Sequence, residues 1–109
     1  MQIWDLPGKS SFVALNRMYI RDANVALIIY DVTDAESLES VDKWIDELKE
    51  TAPTEIIIAL AGNKKDVKGS HTVSLQDGQN LANRHSIALF LETSAKTKEN
   101  IDRLFTRIA

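Results

Sequence analysis

Two short stretches carry side chains able to grip a flat, hydrogen-bonding ligand. Asn63-Lys64-Lys65-Asp66 follows directly on the apolar run Ile56-Ile57-Ile58-Ala59-Leu60-Ala61-Gly62, so an amide, a long aliphatic stem and a carboxylate fall in one loop. Asp66 can accept two parallel hydrogen bonds from a planar donor pair, the pattern that guanine presents through its ring N–H and exocyclic amine and that adenine cannot supply. Further along, Glu92-Thr93-Ser94-Ala95-Lys96 offers backbone N–H groups for a carbonyl acceptor such as the guanine oxygen. Lys96 can lay its methylenes over a ring face. Taken alone, an Asn-Lys-Lys-Asp tetrad reads as an ordinary charged surface turn. Its pairing with Ser94-Ala95-Lys96 at the end of a following strand is what favours a base site.

These loops need a frame, and the hydropathy pattern supplies one. Apolar runs bounded by turn residues alternate with stretches of helical period, which predicts an α/β domain built on a mainly parallel sheet. Strands are expected at 2–5, 25–31, 56–63 and 89–92, continuous in apolar residues because both faces of such a sheet are covered. Ligands of open parallel sheets bind at the carboxyl ends of strands, and Asp5, Asn63, Asp66 and Ser94 all follow expected strands. Within 37–50, Leu38, Val41, Trp44, Ile45 and Leu48 recur every three or four residues, the signature of an amphipathic helix with Trp44 inward. On that helix Asp42, Lys43, Asp46 and Glu47 read as a solvent face. Ser74 and Asp77 stand at capping-box spacing and start a helix that should run to about residue 85. A last helix over 100–109 turns Ile101, Leu104, Phe105 and Ile108 inward. His71 and His85 are lone residues expected in solvent. No repeat, linker or low-complexity stretch appears, so residues 1–109 are expected to form a single domain.

Composition narrows the partners. Thirteen Lys and Arg against sixteen Asp and Glu give a net charge of -3, so no broad basic field exists to attract nucleic acid or an acidic membrane. There is no cysteine, which excludes disulfides, thiolate metal sites, cysteine nucleophiles and a cysteine-borne lipid anchor within these residues. The longest apolar run, 56–61, is far too short to span a bilayer. A cytoplasmic location is the expectation.

The two base-binding stretches together resemble the guanine-specificity motifs of small GTPases. Trp4-Asp5-Leu6-Pro7-Gly8 resembles that family's Trp-Asp-Thr-Ala-Gly, and Met18-Tyr19-Ile20-Arg21, Ile29-Tyr30-Asp31-Val32-Thr33 and Trp44 extend the likeness over essentially the whole chain. Its flavour is that of the Rab type, and Ile58-Ala59-Leu60-Ala61-Gly62-Asn63-Lys64 is similar to the endosomal branch. The resemblance implies a Ras-like P-loop GTPase fold, GTP or GDP with Mg2+ as ligands, and a part in vesicle and endosomal traffic. Nucleotide contacts then fall to Asn63, Lys64, Asp66, Ser94, Ala95, Lys96, Asp5 and Gly8, with Asp5 holding the metal weakly, through water. It also implies effector contact at Trp4, Phe12 and Tyr19, of which Trp4 and Tyr19 read equally well as packing.

The chain departs from the family pattern in ways that matter chemically. Its 109 residues hold no G-x-x-x-x-G-K-[ST] phosphate loop. Gly8-Lys9-Ser10-Ser11 mimics the end of one, but Ile3 stands where the first glycine should be. The family's first two strands, first helix and magnesium-reaching threonine are likewise not represented. Lys9 occupies the position of the water-orienting Gln, and an ammonium donates hydrogen bonds without accepting any, so no catalytic residue is assigned and hydrolysis should be severely slowed. Base contacts without phosphate contacts predict weak nucleotide binding or none. The resemblance would put a strand between 2–5 and 25–31; without it, open edges predict self-association or a strand donated by a partner. The alternative reading is a degenerate, non-hydrolysing module that acts by binding effector or regulatory proteins.

Overall fold

The computed structural model describes residues 2–6, 18–67, 69 and 72–109. The expectations at Pro7, Gly8, Lys9, Phe12 and His71 lie outside the described residues. Strand β1 (Val25–Asp31), helix α1 (Ala35–Thr51), strand β2 (Ile57–Asn63), helix α2 (Leu75–Arg84), strand β3 (Leu89–Glu92) and helix α3 (Ile101–Ile108) follow in that order. The sheet among the described residues is three-stranded, parallel and ordered β1-β2-β3. Val25 pairs with Ile57 and Asp31 with Asn63, so β1 and β2 end level. This is the α/β architecture of a partial Ras-like fold.

Local chemistry sets the helix boundaries. Asp34 caps α1 by accepting from the Glu36 N–H at 3.0 Å, which satisfies a donor that the first turn leaves orphaned. In α2 the capping box is complete, Ser74 Oγ accepting from the Asp77 N–H and the Asp77 carboxylate from the Ser74 N–H, each at 3.0 Å. Val41, Ile45 and Leu48 of α1 and Leu81 and Ala82 of α2 meet Ile28, Tyr30, Val32 and Leu60 in the main core. Trp44 is only partly buried, packed against that core's margin. A smaller cluster of Ala59, Ala61, Leu89 and Leu104 lies on the other face, under α3.

Two expectations are corrected. Residues 2–5 do not form a strand: extended backbone becomes a strand only when a neighbour takes its N–H and C=O groups, and no described strand lies beside them. Trp4 instead packs against Tyr19, ring centroids 4.8 Å apart at 35°, while staying 63% exposed. His85 is not solvated. Its ring is largely buried with Nε2 at 2.6 Å from Asp42 Oδ1, and Arg84 Nη2 reaches the same carboxylate at 3.2 Å. Asp42 therefore leaves the expected solvent face to tie α1 to α2, and its carboxyl is held below the usual range by the hydrogen bonds from His85 and then Arg84.

Candidate functional site

Backbone pairing continues beyond the ends of β2 and β3 and draws the two polar loops together. The Thr93 N–H donates to Gly62 O at 2.8 Å and the Lys65 N–H donates to Thr93 O at 3.0 Å. Side chains then lock the pair. Asn63 Oδ1 accepts from the Ala95 N–H at 3.1 Å and from Thr93 Oγ1 at 3.2 Å. Ser94, fully buried, donates from Oγ to Asp66 Oδ1 at 2.7 Å and accepts from the Thr97 N–H at 3.0 Å. Asn63 and Ser94 thus act as cross-braces, and bonds on both sides of the buried hydroxyl offset the cost of taking it out of water. Asp66 is fixed through one carboxylate oxygen, and among the described residues the other has no hydrogen-bond donor.

Lys64 turns the chain at the end of β2 with φ 68°, the left-handed conformation that costs a non-glycine residue about 1–2 kcal/mol. An ion pair anchors it: Nζ lies 2.8 Å from Asp31 Oδ2. Asp31 Oδ1 accepts from Thr33 twice, from the backbone N–H at 2.8 Å and from Oγ1 at 2.6 Å. Burial pushes the Asp31 carboxyl up, but the bonds from Lys64 and Thr33 outweigh it and hold it at about 2. The same contact raises the Lys64 ammonium.

The second loop has its own supports. Glu99 O accepts from the Ser94 N–H at 3.1 Å, and its carboxylate pairs with Lys65 Nζ at 3.0 Å, bridging the two loops. Asn100, at φ 64°, sends Nδ2 to Glu92 O at 2.7 Å. Sequence reading missed Asp31, Thr33, Glu99 and Asn100. The Asp-x-Thr spacing at the end of β1 was a usable signal for the first two, whereas nothing local marks the others. Beside these loops runs a groove of about 530 Å3, polar at Asn63, Thr93, Ala95 and Lys98 and apolar along Leu27, Ile29, Ala61, Leu104 and Phe105.

The structure therefore brings Asn63, Lys64, Asp66, Ser94 and Ala95 into one constellation, with Lys96 exposed in the adjoining turn. Asp5 is exposed in the unpaired segment rather than at a strand end, and no described bond links it to the loops. Among the described residues no three His, Cys, Asp or Glu side chains are grouped to hold a metal ion, so this set does not fit a magnesium site by itself. It fits a planar base: fixed backbone N–H groups, a fixed carboxylate and a lysine stem. No helix among the described residues is long and apolar enough to cross a membrane.

Comparison with known proteins agrees with this geometry. The sequence pattern of the Ras family matches residues 1–109. The GTP-binding protein ypt5 of Schizosaccharomyces pombe is 46% identical over 110 residues, covering 100% of this chain and 52% of that protein. The chain thus spans about half the length of the curated relative it matches. With the likeness running from end to end, the chain belongs to the Ras family, as a Rab-type small GTPase.

Proposed function

We propose that this Rab-type chain recognises guanine nucleotides through the base and belongs to the machinery of vesicle and endosomal traffic, working as a single domain in the cytoplasm and at endosomal membranes. One observation carries the base reading: Asp66 is held by Ser94 Oγ and the Ala95 N–H by Asn63 Oδ1, so the carboxylate and the second loop are fixed relative to each other. Asp66 accepts the ring N–H and exocyclic amine, the Ala95 region donates to the carbonyl oxygen, and the Lys64 and Lys96 stems lie along the ring faces. GTP or GDP with Mg2+ is the ligand class of the family. Phosphate and metal contacts are where this sequence departs from it, since it holds no phosphate loop and only Asp5 for the metal.

Affinity follows from that balance. Net hydrogen bonds of roughly 1–3 kcal/mol each must offset an association cost of about 4–15 kcal/mol. Calorimetric titration of the chain with GDP and Mg2+, with ADP as control, should show binding weaker than about 1 μM and selective for guanine. Indistinguishable behaviour of GDP and ADP would sink base recognition. Submicromolar GDP binding would reveal phosphate contacts within the chain beyond the two polar loops.

A second reading is favoured by Lys9, with Leu6 and Pro7 close to it in sequence. A donor-only ammonium at the water-orienting position suits a module that binds effector or regulatory proteins, through Trp4, Phe12 and Tyr19, without turnover. Phosphate release from GTP in the same samples separates the readings: release at a rate typical of the family would remove the second.

A further inference from the structure

Left-handed backbone is concentrated around the two polar loops. Of the four described non-glycine residues with positive φ, three fall there: Lys64, Lys98 at 69° and Asn100 at 64°. A Cβ makes that conformation costly, so it persists only where surrounding contacts hold it, and it collects at functional sites. Lys98 and Asn100 flank a single residue, Glu99, which reaches both loops at once. Its carbonyl accepts from the Ser94 N–H at 3.1 Å, and its carboxylate meets Lys65 Nζ at 3.0 Å. The turn that presents it is itself tied down, the Glu99 N–H donating to Thr97 Oγ1 at 3.4 Å and Asn100 Nδ2 to Glu92 O at 2.7 Å.

We propose that Glu99 is a positioning residue of the guanine-base site, setting the second loop against the loop that carries Asp66. The proposal rests on the base reading above. Asn63 and Ser94 brace the loops from within, and the Lys65–Glu99 pair adds a strut one residue away from Asp66. The Ser94, Ala95 and Thr97 N–H groups are already engaged, by Glu99 O, Asn63 Oδ1 and Ser94 Oγ. Among the described residues the Lys96 N–H is left without an acceptor, as the second loop's remaining donor. Guanine carries its donor pair and its carbonyl on one rigid ring, so it needs that amide and the Asp66 carboxylate at a fixed separation. Adenine has neither the ring N–H nor the carbonyl, so a displaced second loop costs guanine alone. Lys65 and Glu99 are 37% and 51% exposed, so the strut works in water and salt should loosen it. Every group in it belongs to residues 63–66 and 92–100.

Amide hydrogen exchange on the full chain, with nucleotide binding read from NMR amide shifts, tests the role. Glu99→Gln keeps the side-chain length and the backbone bond and removes the charge. Exchange at the Ser94 and Lys65 N–H groups should quicken about two- to fivefold, with the thermal midpoint unmoved. GDP binding should weaken by a similar factor, and the response to ADP should not change. Lys65→Gln should do the same, the double variant should lose no more than either single one, and Lys65→Arg should behave as the parent. Roughly 0.5 M sodium chloride should quicken the same exchange in the parent and leave Glu99→Gln nearly unaffected. Unchanged exchange at both amides, a preference for GDP over ADP indifferent to Glu99→Gln, or additive losses in the double variant would each overturn the proposal while the base reading stands. A parent chain that treats GDP and ADP alike would remove the base reading, and this role with it.

Discussion

Ile28 and Ile29 are neighbours on β1 with opposite surroundings. Ile28 points into the core that α1 and α2 close over the sheet, beside Tyr30, Val41 and Leu60. Ile29 points to the other face, into the groove beside α3, and is 61% exposed. Successive side chains alternate across a sheet, so the same apolar run serves both faces, and what differs is the cover. Among the described residues that cover is a 17-residue and a 10-residue helix on the closed face, and on the other the 8-residue α3, whose own buried residue is Leu104. An apolar strand therefore specifies membership of a parallel sheet without specifying that both faces are filled, and the polar loops gather at the rim of the groove that is left.

The contrast is open to attack by mutation. The largest effect should come from truncating the same residue type on the two faces: Ile45→Ala, at a position with no exposure, should cost about 2–5 kcal/mol in denaturant unfolding. Ile29→Ala, measured in dilute solution, should stay within about 0.5 kcal/mol. Comparable losses would show that the groove face is covered after all.

A finer probe concerns how tightly the closed face is filled. Tyr30 Oη is buried without a hydrogen-bond partner among the described residues, and burial first, then the Glu92 and Asp77 carboxylates, push its ionisation far up, so the phenol stays neutral. A methyl group on Gly62 would stand 2.6 Å from that oxygen, and one on Gly78 would collide with it and with Phe90. Gly62→Ala should destabilise by about 1–3 kcal/mol, and Tyr30→Phe alone should gain up to about 1 kcal/mol by deleting an unsatisfied group. The double variant should recover part of the Gly62→Ala loss. A clear loss in Tyr30→Phe would mean that the hydroxyl has a partner.

The smallest effect expected is at the seam between α1 and α2. The Asp42 carboxyl is depressed in the fold, so its contribution is complete above the unfolded value of 3.8 and fades as pH falls through the lower, folded value. Because both Asp42 and Arg84 are substantially exposed, Asp42→Asn should cost under about 1 kcal/mol at neutral pH. The difference from the parent in thermal unfolding should vanish in strong acid. A constant difference across pH would assign the loss to packing instead of charge.

Much of this was legible in the residues. The limits of β1 and β3, the Ser74–Asp77 capping box and the placing of the two polar loops at strand ends all rest on interactions spanning a few positions, or on an apolar period that any covered parallel strand must show. The strand expected at 2–5 failed because extended conformation is held by a neighbour's hydrogen bonds, and composition does not say whether the neighbour is there. His85 was misread for a related reason: its partner, Asp42, lies 43 residues away on another helix. Glu99 bridging to Lys65 across 34 residues was equally invisible. By itself the sequence determined the local conformations and the chemistry that the loops could offer, since caps, turns and periodicity act within a turn or two of chain. Only the tertiary structure decided which side chains brace Asp66 and Ala95, that Asp31 grips Lys64, and which residues of β1 α1 and α2 close over, because burial and ion pairing depend on what the fold brings alongside.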